Sequence, residues 1–221
     1  MEEHKPPRKP REVFLDLYYM SIPIISLNLY WLLLTLPVVT APAAVMALFY
    51  CTNQMVKGDS AGWPEFWEGF RKYFWISLGW FLLDAAAIGI LAMNIWFYQA
   101  QFTATWATIV DGLMIGILVV WLVVQFYVPA VLLMQEKVSI RQALRNAAGL
   151  VAFRPLVMAG TAVGLSIFYY LSTILFAPLW IFFTAGIGAY LISQATMKTV
   201  QRLLKQQTKG NPPVEPPPPS G

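Results

Sequence analysis

The sequence predicts an all-α, polytopic transmembrane helical bundle. About six membrane-crossing or re-entrant helices are expected, plus two cytoplasmic interfacial amphipathic helices. Three observations carry this. Of the 221 residues, 58% are hydrophobic and 12% are charged, where a soluble domain has about 25% charged. The apolar residues are gathered into runs of about 20 or more, the length that crosses a bilayer as a helix. All fifteen lysines and arginines fall in four places: 5–11, 57–72, 137–154 and 198–209.

Those four places set the topology. Basic residues collect on the cytoplasmic side of a membrane. The connections near 37–42, 99–108 and 176–179 carry none. If every basic cluster is cytoplasmic, the chain crosses an even number of times between neighbours, and both termini lie inside. The net charge of +4 therefore reads as membrane topology, with the lipid bilayer as partner and no nucleic acid.

In chain order, residues 1–13 read as a disordered cytoplasmic N-tail, 14–207 as a single transmembrane domain and 208–221 as a disordered Pro-rich C-tail. Ala41 to Ala44 offer small residues of the kind a signal peptidase cuts. The apolar run is too long for a signal peptide and continues past them, so retention is expected. The first span covers about Leu17 to Leu36. Pro37 and Pro42 then break it, because proline lacks a backbone donor and disfavours helix in the residue before it. Thr40 is placed to cap a second helix, about Ala41 to Val56, with Pro42 in its first turn. At about 24 Å this leg is short, so a full crossing and a re-entrant hairpin both fit.

Trp63 to Trp75 reads as an interfacial helix. Phe66, Trp67, Phe70 and Phe74 share a face, and Trp63, Arg71 and Lys72 suit the headgroup level. A loop packed under the bundle is the alternative. Spans at about Phe74–Tyr98 and Trp106–Met134 follow. Ser139 with Gln142 fits a capping box opening a second amphipathic helix, with Arg141 and Arg145 on one face and an end near Gly149. Spans at about Arg154–Phe176 and Leu179–Met197 follow, joined at Ala177-Pro178, with the last helix running on to about Lys205.

Asn28-Leu-Tyr-Trp31, Leu36-Pro-Val-Val-Thr40, Pro42-Ala and Ala47-Leu-Phe-Tyr50 closely resemble the opening signature of the YesL family, uncharacterised bacterial integral membrane proteins. Phe66-Trp67, Phe70-Arg-Lys and Ala143-Leu-Arg-Asn146 also look like that family's pattern. The resemblance covers roughly 14–205 and is sharpest at 28–50. It implies a multi-pass protein of the bacterial cell membrane, working beside carbohydrate ABC transporters with an ABC-transporter permease as partner. It brings no catalytic residues. Asn28, Trp31, Pro37, Thr40 and Pro42 form the signature hairpin, and shaping that hairpin is the simpler reading of them.

Hydrolytic triads and Cys-His sites need a positioned histidine. The single histidine, His4, sits in the N-tail, and Cys51 is the single cysteine. No catalytic residue, metal site or cofactor is expected. Asp84 is the sharpest individual residue, since a carboxylate inside a span is costly. Either it serves an ion-coupled or partner site, or it locks helices together as a hydrogen-bonded carboxyl. Asn28, Asn94 and Gln125 are its candidate partners. Gly112 with Gly116, and Gly160 with Gly164, are spaced for close helix contact. Packing within the chain is the expected use and dimerisation the alternative, with the oligomeric state open. The function expected is a non-enzymatic accessory or regulatory protein of carbohydrate transport. The alternative is a small transporter or channel with a polar site near Asp84.

Overall fold

The computed structural model describes residues 10–102, 105–175 and 183–210, with side chains from 22 to 206 outside Leu175 and the gaps. The Ala177-Pro178 turn and most of both expected tails lie outside the described residues. Within them the chain is helical throughout, without strands: α1 Pro10–Thr35, a 3-10 turn Val38–Thr40, α2 Ala41–Lys57, α3 Trp63–Gln101, α4 Thr105–Leu132, α5 Ile140–Phe153, α6 Pro155–Leu175 and α7 Ala185–Gly210. Three of these, α3, α4 and α6, are long and apolar enough to cross a bilayer. The chain is a helical membrane bundle.

The break between α1 and α2 falls where the prolines place it. Thr40 occupies the N-cap position of α2, but its side chain makes no cap bond. Its hydroxyl instead donates back to the carbonyls of Leu34 and Pro37. The last carbonyls of a helix lack partners within it. An apolar medium supplies none, so the threonine serves the helix that is ending.

α2 is the centre of the bundle. It touches α1, α3, α4 and α7. Of its seventeen residues, ten are buried, Ala43, Ala44, Met46, Ala47, Phe49 and Cys51 among them. Three buried alanines and Pro42 keep its girth small, which lets neighbours approach closely. A left-handed Gly58, with φ 96°, ends it in the conformation glycine adopts without a Cβ penalty.

The expected separate interfacial helix does not form. Trp63 to Gln101 is one unbroken helix of 39 residues, about 58 Å long. Its only proline, Pro64, lies in the first turn, so nothing in the interior halts it. Glu65 accepts the Gly62 N–H at 2.7 Å, completing the N-terminus. The first turns pack on α2 through Phe66, Gly69, Phe70 and Tyr73. Of the expected interfacial aromatics, Phe66 and Phe70 are therefore core residues, while Trp63 and Trp67 remain partly exposed. Arg71 and Lys72 face outward, and Lys72 lies 5.5 Å from the centre of the Tyr73 ring.

Beyond Ser77 no residue of α3 is buried, and before Val124 α4 buries only Ala107. These distal halves present an apolar surface that includes Ile90, Met93, Ile109 and Leu113, as lipid-facing helices do. Exposed Trp75 and Trp96 bracket the distal half of α3. They stand about 32 Å apart along the axis, close to the thickness of a hydrocarbon core, where tryptophan prefers the two interfaces.

α5 is amphipathic as expected. Ala143, Ala147 and Leu150 are buried, and Arg141 and Arg145 are exposed. The expected capping box is absent. The Ser139 side chain makes no cap bond, and the Ser139 N–H donates instead to Gln135 Oε1 at 3.0 Å. The helix also runs through Gly149 to Phe153. A glycine costs a helix only about 1 kcal/mol, whereas Pro155 disfavours helix at Arg154. α7 continues past Lys205 to Gly210.

Close packing is carried by glycines other than those expected. A Cβ added at Gly69 would stand 2.8 Å from the Tyr50 ring, and one at Gly186 would stand 3.0 Å from Ile24. At Gly112, Gly116, Gly160 and Gly164 it would meet no atom of the described residues within 4 Å, so these four do not mediate packing among them. Gly69→Ala should therefore destabilise the protein by about 1–3 kcal/mol through overpacking. Gly112→Ala should leave it unchanged or gain up to about 1 kcal/mol. Thermal unfolding of both variants in one detergent checks the contrast. Cys51 is fully buried, so a maleimide should modify it only after denaturation, as a mass shift would report.

Candidate functional site

The site is built where α3 and α4 run antiparallel. Trp80-Phe-Leu-Leu-Asp84 on α3 and Trp121-Leu-Val-Val-Gln125 on α4 have the same form: tryptophan, three apolar residues, then a side chain with an acceptor oxygen. Residues four apart share a helix face. In antiparallel helices this sets each tryptophan opposite the other helix's polar residue. Trp80 Nε1 donates to Gln125 Oε1 at 2.9 Å, and Trp121 Nε1 donates to Asp84 Oδ1 at 2.8 Å. Two reciprocal rungs, one turn apart, join the helices.

The rungs form part of the wall of a cavity of about 510 Å³. α1 contributes Trp31, α2 contributes Phe49, α6 contributes Tyr169 and α7 contributes Ala189, with Trp80, Asp84 and Gln125 between them. The lining is mostly apolar, with a few polar groups, as in ligand cavities generally. Gln125 is only 7% exposed. Trp80 holds its carbonyl oxygen, and its Nε2 is buried with no hydrogen-bond partner among the described residues.

Of the polar residues expected around Asp84, Gln125 lines the same cavity on the neighbouring rung, whereas Asn94 and Asn28 bond elsewhere. Asn94 donates to the Ile90 carbonyl of its own helix at 2.7 Å and lies about 15 Å along α3 from Asp84. Asn28 is fully buried, and its Oδ1 accepts the Gly186 N–H at 2.8 Å. That bond satisfies a backbone donor near the start of α7, beside the close approach of Gly186 to Ile24. Asp84 itself is half-buried and bonded to Trp121. The signature residues thus divide by role. Asn28 ties α1 to α7, Trp31 lines the cavity, and Pro37, Thr40 and Pro42 shape the turn.

Further contacts fix the surrounding helices. Tyr127 donates to the Met158 carbonyl at 2.6 Å, linking α4 to α6. The Thr52 and Ser193 hydroxyls meet at 3.2 Å between α2 and α7. Tyr50 donates to Glu68 at 3.0 Å beside Gly69. Trp80 and Trp121 were not among the expected site residues, although the repeated spacing was present in the sequence. A tryptophan inside a span reads first as lipid-facing or core, and its N–H counts only once a partner helix faces it.

The model of a family described as "Protein of unknown function, DUF624" matches residues 24–95. The match takes in the α1–α2 turn, the whole of α2 and most of α3, including Asp84, and stops before α4. No curated protein and no solved structure matches the chain. The chain is an integral membrane protein whose molecular function the family description leaves open.

If the rungs act as a pair of helix locks, Trp80→Phe and Gln125→Leu should each destabilise the protein. Polar contacts within a membrane cost about 0.5–2 kcal/mol when broken. The double variant should lose less than the sum, because neither partner is left unpaired. Unfolding of the four proteins of the cycle in one detergent measures the coupling.

Proposed function

We propose that the protein is a non-enzymatic accessory component of a membrane transport assembly, acting beside a carbohydrate ABC transporter in a bacterial cell membrane. Its resemblance to the YesL family points to this class of partner. The structural observation that supports it is the outer face of α5. Ala143, Ala147 and Leu150 seat the helix on the bundle and leave Arg141 and Arg145 outward. Beside them lies a groove of about 580 Å³ between α4, α5 and α7, where Val131, Met134, Leu150 and Leu203 form an apolar floor and Arg145 one edge. An amphipathic cytoplasmic segment of a permease, with apolar anchors and an acidic flank, fits this surface. Helix-in-groove recognition supplies affinity from the anchors, and charge complementarity supplies specificity.

The transporter alternative requires a continuous polar path. Asn28 bonds the backbone of α7 and Asn94 that of its own helix rather than Asp84, which favours the accessory reading over it. Purification from native membranes in mild detergent tests the proposal. A permease should co-purify stoichiometrically, and Arg141→Glu with Arg145→Glu should lower its recovery about tenfold, since reversing rim charges slows association and costs about 1–2 kcal/mol. Recovery of the protein alone, or full recovery with the double variant, would count against the reading.

A further inference from the structure

We propose that the recess between α6 and α7 binds the headgroup of an anionic phospholipid, with its phosphate between Arg154 and Arg202. The proposal stands apart from the accessory role. It rests on the charge of the recess, its level in the membrane and its apolar continuation.

The recess has a volume of about 430 Å³ and lies between one face of each helix. Arg154, Val157 and Thr161 come from the start of α6, three and four residues apart. Leu191, Lys198 and Arg202 come from α7, seven and four apart. These spacings keep residues on one side of a helix. A contact further along sets the register. A Cβ added at Gly188 would lie 3.3 Å from the Tyr169 ring. Following the two antiparallel helices equally from that contact for about 22 Å brings Arg154 within one residue of the level of Arg202. Lys198 stands one turn away from Arg202, on the same face and nearer the middle of the bundle.

Three cations thus border one recess, and no acidic residue lines it. Among the described residues none of the three is held in an ion pair. The two guanidinium groups keep their charge in any protein setting, and Lys198 is exposed. Membrane topology asks only that cations collect on one side of the bilayer. It does not gather them from two chain segments around a hollow. Val157 lies in the first turn of α6, where the helix dipole is positive. The set suits an anion with several acceptor oxygens, and arginine meets phosphate with two parallel bonds. Choline and ethanolamine headgroups also carry a phosphate, but they bring an ammonium among three cations with no carboxylate to receive it. A headgroup of net negative charge is therefore selected.

Level and surroundings identify the source of the phosphate. Arg154 directly precedes Pro155–Ile174, a helix long and apolar enough to cross the bilayer. The charged end of the recess is therefore at headgroup level, where basic pockets between membrane helices take lipid phosphates. Val157 and Leu191, 42% and 40% exposed, continue the lining away from Arg154 and Arg202 and offer a surface for acyl chains. A soluble phosphate gains nothing from them.

Native mass spectrometry of the full chain in an uncharged detergent tests this, with titration by phosphatidylglycerol or by phosphatidylcholine of the same acyl chains. One phosphatidylglycerol should bind saturably and about tenfold more tightly than phosphatidylcholine. Arg154→Gln, Lys198→Gln and Arg202→Gln together should weaken that binding about tenfold. Lys57→Gln, Arg71→Gln and Lys137→Gln together remove the same charge from exposed positions elsewhere and should leave it unchanged. Glycerol phosphate in large excess should not displace the lipid. Equal binding of the two lipids, or adducts that never saturate, would overturn the proposal with the unmutated protein alone. An equal loss in both triple variants would overturn it in favour of diffuse charge attraction. Displacement by glycerol phosphate would overturn the lipid source in favour of a soluble phosphate ester.

Discussion

Inside a bilayer there is no water to complete a hydrogen bond, and this constraint governs where the chain places its few polar groups. Thr40 turns back to the carbonyls ending α1. Asn28 reaches across to the backbone of α7. Trp80 and Trp121 each give an indole N–H to the opposite helix, and Tyr127 finds the Met158 carbonyl. Each bond joins segments that apolar contact alone would join without a fixed register, because lipid tails compete equally well for a leucine.

Close approach is the second requirement. Among lipid-surrounded helices, dispersion and complementary shape replace the hydrophobic drive. α2 meets this with alanines in its first two turns. α3 meets it at Gly69, against the Tyr50 ring, and α7 at Gly186, against Ile24. α2 touches α1, α3, α4 and α7, which explains how a helix too short to be a comfortable span can organise the bundle. The longer α3 and α4 give it one half each and leave the other half to lipid.

The cavity follows from the same economy. Where six helices meet around bulky Trp31, Trp80 and Tyr169, their rings cannot all close on one another, and a space remains beside the rungs. Gln125, in the wall of that space, keeps a buried amide nitrogen with no hydrogen-bond partner among the described residues. The polar face of α5 lies at the opposite extreme, with Arg141 and Arg145 outward and alanines inward.

The sequence by itself determined that the chain is a membrane helical bundle, because apolar runs and sparse charge are local properties. It placed the break at Pro37 and Pro42, since proline's effect on the backbone needs no neighbour. It also marked Asp84, and the amphipathic character of α5. Tertiary structure alone decided the rest. Gly69 and Gly186 are tight while Gly112, Gly116, Gly160 and Gly164 are open, because a glycine's use depends on what lies against it. Ser139 and Gln142 fit a capping box, but Gln135 took the Ser139 N–H first, a competition settled by where the preceding loop sits. Asp84 met Trp121 rather than an asparagine. Helical spacing fixes which residues share a face, and only the pairing of faces fixes which residues touch.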